Sequence, residues 1–154
     1  MRVKNKKAIV ALFLACCILP GYWLWLSLRP VEIVAIHQEF DTTSILINEF
    51  PLTTQGKINW WLNHKDMLKK KYDIPKPSSS GYFTVIFWNF GEGYKKEGKY
   101  ERLCFNDMKA PINCIEKDKL FTVSYGKNLG LSFTTNDGIY RMKTKGAIVK
   151  DESD

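Results

Sequence analysis

The sequence is poor in residues that usually carry chemistry. It has two histidines, His37 and His64, and four cysteines, with no CxxC pair among them. A cysteine zinc site or a thioredoxin-like redox pair therefore lacks its spacing. A His-based metal site lacks a third ligand at any recognisable interval. No GxSxG nucleophile elbow is present, and "FGEGYKKEG" lacks the GK[ST] ending of a phosphate-binding loop. There is no internal repeat and no low-complexity tract. Acid is missing from the first 30 residues, and charge of either sign is missing from Ala8 to Leu28.

The charge that is present sits unevenly. The net +7 of the 154 residues invites a polyanion partner. However, Arg2, Lys4, Lys6, Lys7 and Arg29 supply five of the bases, and residues 31–154 hold 18 bases against 16 acids. The bulk of the chain is nearly neutral, so no nucleic-acid partner is expected.

"AIVALFLACCILPGYWLWLSL", Ala8–Leu28, is an uncharged run of 21 residues. As a helix it spans about 30 Å, the thickness of a hydrocarbon layer. Four bases precede it, so residues 1–7 are expected in the cytoplasm and the rest across the bilayer. Tyr22, Trp23 and Trp25 gather where the outer membrane interface should lie. Pro20-Gly21 is expected to kink the helix. A cleaved signal peptide would have a shorter apolar region and a small-x-small exit in place of Trp-Leu-Trp-Leu. "LACC" faintly resembles a lipobox, but twelve mostly apolar residues follow Cys16. Cys16 and Cys17 are better read as inert hydrophobes in the membrane.

Beyond Pro30, residues 30–145 are expected to form one periplasmic domain and 146–154 a flexible tail. Val31–Ile36 and Ser44–Phe50 have strand character, with "HQEFDTT" turning between them. Thr53 or Thr54 can cap a helix. Ile58, Trp61, Leu62, Leu68 and Tyr72 then lie on one helical stripe, with the lysines off it in water. Pro75 and Pro77 end that helix. Gly81–Phe90 has the continuous apolar character of a central strand. Lys99–Phe105 and Leu120–Tyr125 are further strands, and "LGLSFTT" and "GIYRMKT" flank the tight-turn signal Asn136-Asp137-Gly138. The expected fold class is α+β: an N-terminal transmembrane helix, then one long helix on a mainly antiparallel sheet of about five to seven strands.

Few residues suggest a site. Cys104 and Cys114 should pair in an oxidising compartment. Trp60 falls about 100° around the helix from Trp61. With Lys69 and Lys70 it makes a candidate surface for a partner or for lipid headgroups. His37 and His64 could serve a nucleophile, but nothing accompanies them. Glu92, Glu97, Glu101 and Asp107 are interleaved with Lys95, Lys96, Lys99 and Arg102, which suits a self-neutralising solvated face.

"LSLRPVEIVAIHQEF", "FPLTTQGKINWWLNHKDMLKKKYDIPKP" and "FWNFGEGYKKEGKYERLCFNDMKAPINCIEK" resemble a family of enterobacterial "putative membrane proteins" of unknown function. The resemblance covers roughly Leu26 to Leu120 and implies a short single-pass protein. It brings no catalytic or ligand-binding residues. The expectation is a single-pass inner-membrane protein, not an enzyme and without cofactor, whose partners are the bilayer and another protein. An immunity or protective factor against an envelope toxin has this architecture. The alternatives are an accessory subunit of an envelope complex and an envelope enzyme. The enzyme reading requires a buried cleft lined by His37 or His64 with convergent carboxylates.

Overall fold

A computed structural model describes residues 2–152. Met1 of the expected cytoplasmic segment and Ser153 and Asp154 of the expected tail lie outside the described residues. The chain divides into two units, Met1–Pro30 and Val31–Asp154.

The first unit is a single helix, α1 (Arg2–Ser27), and Pro20 stands inside it without ending it. Among the described residues, Asn5–Leu26 is the one span long and apolar enough to cross a membrane. Its 22 residues make about 33 Å of helix. Tyr22 and Trp25 approach each other, ring centroids 6.0 Å apart. The Arg29 guanidinium lies 4.1 Å over the Trp25 ring, a cation–π contact of the kind an interfacial aromatic offers.

The second unit is α+β. Its strands are β1 (Glu32–Glu39), β2 (Thr42–Asn48), β3 (Phe83–Asn89), β4 (Lys95–Lys96), β5 (Arg102–Cys104), β6 (Ile112–Glu116), β7 (Lys119–Gly126), β8 (Gly130–Thr135), β9 (Gly138–Met142) and β10 (Ile148–Lys150); its helix is α2 (Thr54–Tyr72). Seven strands form one sheet in the order β1-β2-β3-β7-β8-β9-β10, and β4-β6-β5 form a second. All pairs are antiparallel except β2 with β3. Parallel neighbours need a long crossover, which α2 supplies.

Period-two alternation sends side chains to both faces of the large sheet. Ile45, Ile47, Val85, Phe87, Phe121, Val123 and Phe133 pack with Ile58, Trp61 and Leu68 of α2. Leu46 and Trp88 point the other way and meet Phe105 and Ile115 of the small-sheet insertion. The large sheet thus carries the helix on one side and the small sheet on part of the other. Burying Ile58, Trp61 and Leu68 contributes about 2 kcal/mol each by transfer bookkeeping.

The start of α2 is capped as its sequence requires. Thr53 is the N-cap, accepting from the Gly56 amide at 3.0 Å. Asp73 closes the other end in the left-handed region; its amide donates to the Lys69 carbonyl, and the next amide, of Ile74, donates to the Leu68 carbonyl.

Several sequence expectations change here. "HQEFDTT" is mostly strand, so the chain reverses within Phe40-Asp41. Lys57 is buried, contrary to its expected place in water, and its Nζ donates to the Leu120 carbonyl at 3.0 Å. Burial, opposed by the charges of Asp137 and Asp118, lowers its pKa. Asn136-Asp137 does make the β8–β9 turn, with Thr135 opposite Gly138, but only Gly138 takes positive φ there, 143°. The stretch expected as flexible tail contains β10, paired to β9 with Ile148 opposite Met142.

Candidate functional site

His37 lies within β1, opposite Ser44 of β2, and on the sheet face away from α2. Its ring is 8 % exposed. A buried imidazole must satisfy both nitrogens, and the small-sheet insertion supplies the partners. Nδ1–H donates to Asp107, both of whose oxygens are 2.8 Å away. With that proton assigned to Nδ1, Nε2 accepts from the Tyr94 hydroxyl, 2.9 Å away. The ring also lies flat on Phe105, with centroids 3.8 Å apart. β1 is thereby clamped to the ends of β4 and β5.

Beside the clamp is a cleft of about 110 Å³ lined by His37, Gln38, Glu39, Thr42, Ser44 and the stretch Leu103–Asp107. Its lining carries the carboxylates of Glu39 and Asp107 and no lysine or arginine. Gln38 is held in place: its amide nitrogen donates to the Phe40 carbonyl at 2.7 Å, and its oxygen accepts from Thr43. Burial, with help from the Asp107 charge, raises the Tyr94 pKa. The phenol therefore stays protonated at neutral pH and donates to His37. The Asp107–His37–Tyr94 chain orients rings and does not generate a phenolate.

Cys104 stands opposite Cys114 in the β5–β6 ladder, and the two form a disulfide. It joins the strand that leads into Phe105 and Asp107 to the middle strand of the small sheet. Deeper in the same cluster, Trp88 is buried with Nε1 lacking a hydrogen-bond partner among the described residues.

The small sheet's charges neutralise one another as the sequence pattern suggested. Lys95 pairs with Glu92 and Glu116, Arg102 with Glu116, and Lys117 with Glu101. Asp107 departs from that pattern, being committed to His37, 70 residues away. No local signal announces such a contact. Nor does any announce Tyr94, 57 residues from His37.

The other candidates fall elsewhere. Trp60 is half-buried, edge-on to Phe50 and Phe87 and stacked on His64 at 4.4 Å. His64 Nδ1–H donates back to the Trp60 carbonyl at 2.8 Å. Lys69 lies about 180° around the helix from Trp60, where it pairs with Asp73 at 2.6 Å. Lys70 is exposed about 80° from Trp60. Trp60, Lys69 and Lys70 therefore do not share one face. Among the described residues no group of three His, Cys, Asp or Glu could hold a metal ion.

At the β1–β2 turn beside the cleft, Phe40 is 92 % exposed with φ 54°. Tyr82, Tyr125 and Leu129, also exposed, lie at the same end of the sheet.

Neither the curated proteins nor the solved structures contain a match to the chain. A family model described as "Enterobacterial putative membrane protein (DUF943)" matches residues 2–152. That match spans nearly the whole sequence, helix α1 and folded domain alike, and the chain belongs to this enterobacterial membrane protein family.

Proposed function

We propose that this is a single-pass inner-membrane protein whose folded domain lies in the periplasm and binds another protein through the Phe40 end of its large sheet. The bases ahead of α1 and the Cys104–Cys114 disulfide support the orientation. Phe40 carries the binding role. A β-carbon at φ 54° is strained relative to glycine or asparagine, and an exposed phenyl ring gains nothing from folding. A residue costly in both respects suits a contact made outside the chain, and aromatic anchors dominate protein interfaces. An immunity factor against an envelope toxin is one class that needs only these parts. An accessory subunit of an envelope complex is another, and would additionally require the native α1.

A photo-crosslinking residue at position 40, in intact cells, tests the reading. A discrete protein adduct is expected there and not at Leu52, which is exposed near the opposite end of β2. The adduct partner should co-purify with the native chain and be lost from Phe40→Ala. Equal labelling at both positions, or co-purification indifferent to Phe40→Ala, overturns it. A reporter after residue 154 that works only in the cytoplasm overturns the orientation.

One observation favours the enzyme reading: His37 with Asp107 beside a cleft. Tyr94, however, occupies Nε2, the position at which a base would meet its nucleophile.

A further inference from the structure

We infer that the free edge of β1, with the adjoining face of the β1–β2 hairpin, is a docking surface for an extended, basic polypeptide segment, one of whose lysine or arginine side chains enters the cleft beside His37. The inference rests on the protein-binding reading above and names the chemistry of the partner.

Charge segregation leads to it. Residues 30–56 contain no lysine or arginine, yet they hold Glu32, Glu39, Asp41 and Glu49. The rest of the domain, residues 57–154, holds 18 bases against 12 acids. Around the small sheet Glu92, Glu101 and Glu116 each find a cation. Among the described residues, Glu39 and Asp41 have no ion-pair partner. Acid concentrated on one hairpin of an otherwise basic domain is complementary to a cationic partner, and such complementarity steers encounter and fixes register.

The cleft narrows the choice. Its volume of about 110 Å³ is below the roughly 300 Å³ at which drug-sized ligands begin to fit. It suits the end of one side chain. The lining offers the carboxylates of Glu39 and Asp107 and the hydroxyls of Thr42 and Ser44, with Phe105 presenting an aromatic wall. Those groups suit an ammonium or guanidinium on an apolar stem.

The edge points to a polypeptide over a free amine. β1 is the terminal strand of the seven-stranded sheet, so half of its backbone groups face outward unpaired. An added strand satisfies them, and a polyamine cannot. Charged side chains on an edge also deter unwanted pairing, but that protective role gives no use to a cleft or to exposed Phe40.

The test uses the full-length chain in zwitterionic micelles with ¹³C-labelled histidine. There are two ring signals, His37 at the cleft and His64 on α2, so His64 is an internal control. A peptide alternating valine and lysine should shift the His37 signal saturably and leave His64 in place. The matching valine–glutamate peptide should do nothing. Glu39→Gln and Asp41→Asn should each weaken the response about twofold to fivefold, the range of exposed charge pairs, and added salt should weaken it further. Equal shifts by both peptides, an unmoved His37 signal, or indifference to Glu39→Gln overturn the inference. Spermidine acting as strongly as the lysine peptide overturns the polypeptide assignment, and a shift on simple dilution assigns the surface to a second copy instead. A silent His37 signal beside an intact Phe40 adduct removes this inference alone. Loss of both removes the binding role.

Discussion

The ring of His37 lies 12° from parallel with that of Phe105, centroids 3.8 Å apart. One ring belongs to the edge strand of the large sheet, and the other to the segment just after β5. This contact and the Asp107 and Tyr94 hydrogen bonds hold the cleft open between two sheets that share no backbone ladder. The clamp shapes the cleft and fixes Asp107, one of the two carboxylates in its lining.

Replacing His37 with alanine removes a stack worth about 1 kcal/mol and two part-buried hydrogen bonds, one of them to a carboxylate. The expected loss is about 3 kcal/mol, measurable by thermal unfolding of the full chain in detergent. His37→Phe keeps the stack, and Asp107, being half-exposed, can turn to water. It should lose about half as much. Equal losses from the two variants would show that the stack contributes nothing.

The disulfide closes a loop with a sequence separation of 10. The chain-entropy argument gives about 3 kcal/mol for a loop of that size. Reductant should lower the unfolding midpoint of the native chain. It should have no effect on the Cys104→Ala, Cys114→Ala double variant, which should already melt low. Cys16 and Cys17 are the free thiols, so maleimide labelling of intact cells should reach neither Cys104 nor Cys114. Labelling of either before reduction would contradict the proposed compartment.

What was legible in the sequence was local. The Ile58–Trp61–Leu68 stripe, the Thr53 cap and the β8–β9 turn each follow from neighbours within a few residues. The uncharged run announced α1. The rest depends on partners that the chain brings from far away. β4 is two residues long, too short for alternation to show, and β5 keeps only Arg102–Cys104 of the strand expected over Lys99–Phe105. The parallel pairing of β2 and β3 is visible only once α2 is recognised as a crossover. Lys57 was misplaced because a helical stripe records polarity. It does not record that a carbonyl on β7 will be waiting for the ammonium. Lys69 stands apart from Trp60 on angular grounds, since nine residues of helix bring the chain to the opposite side.

Trp88 offers a case where a smaller side chain should cost little. Its Nε1 is buried without a partner among the described residues, a state that costs about 1–3 kcal/mol. Trp88→Phe removes that donor and leaves a modest cavity, whose cost is about 1 kcal/mol at roughly 24 cal/mol per Å³. The two effects nearly cancel, so the variant should unfold within about 1 kcal/mol of the native chain. Phe87→Ala, on the opposite face with no polar atom to relieve, should lose about 3–5 kcal/mol. A loss for Trp88→Phe as large as that would mean its N–H is well satisfied.

Asp137 ties the β8–β9 turn to the start of α2. It accepts from Thr54 and Tyr140 at 2.8 Å each, and from Thr135. These donors, Thr135 foremost, hold its carboxyl well below the ordinary carboxylate range. A depressed carboxylate contributes stability that is present above its unfolded value, about 3.9, and is lost as pH falls toward the folded value. Asp137→Asn should therefore melt below the native chain at pH 7, and the gap should narrow steadily below about pH 4. Asp73, Glu92, Glu101 and Glu116 are also lowered by their lysine and arginine partners. They destabilise both proteins alike in acid and drop out of the difference. A gap that stays constant from pH 7 to pH 2 would mean that Asp137 acts through shape alone and that its charge is not felt by the helix start.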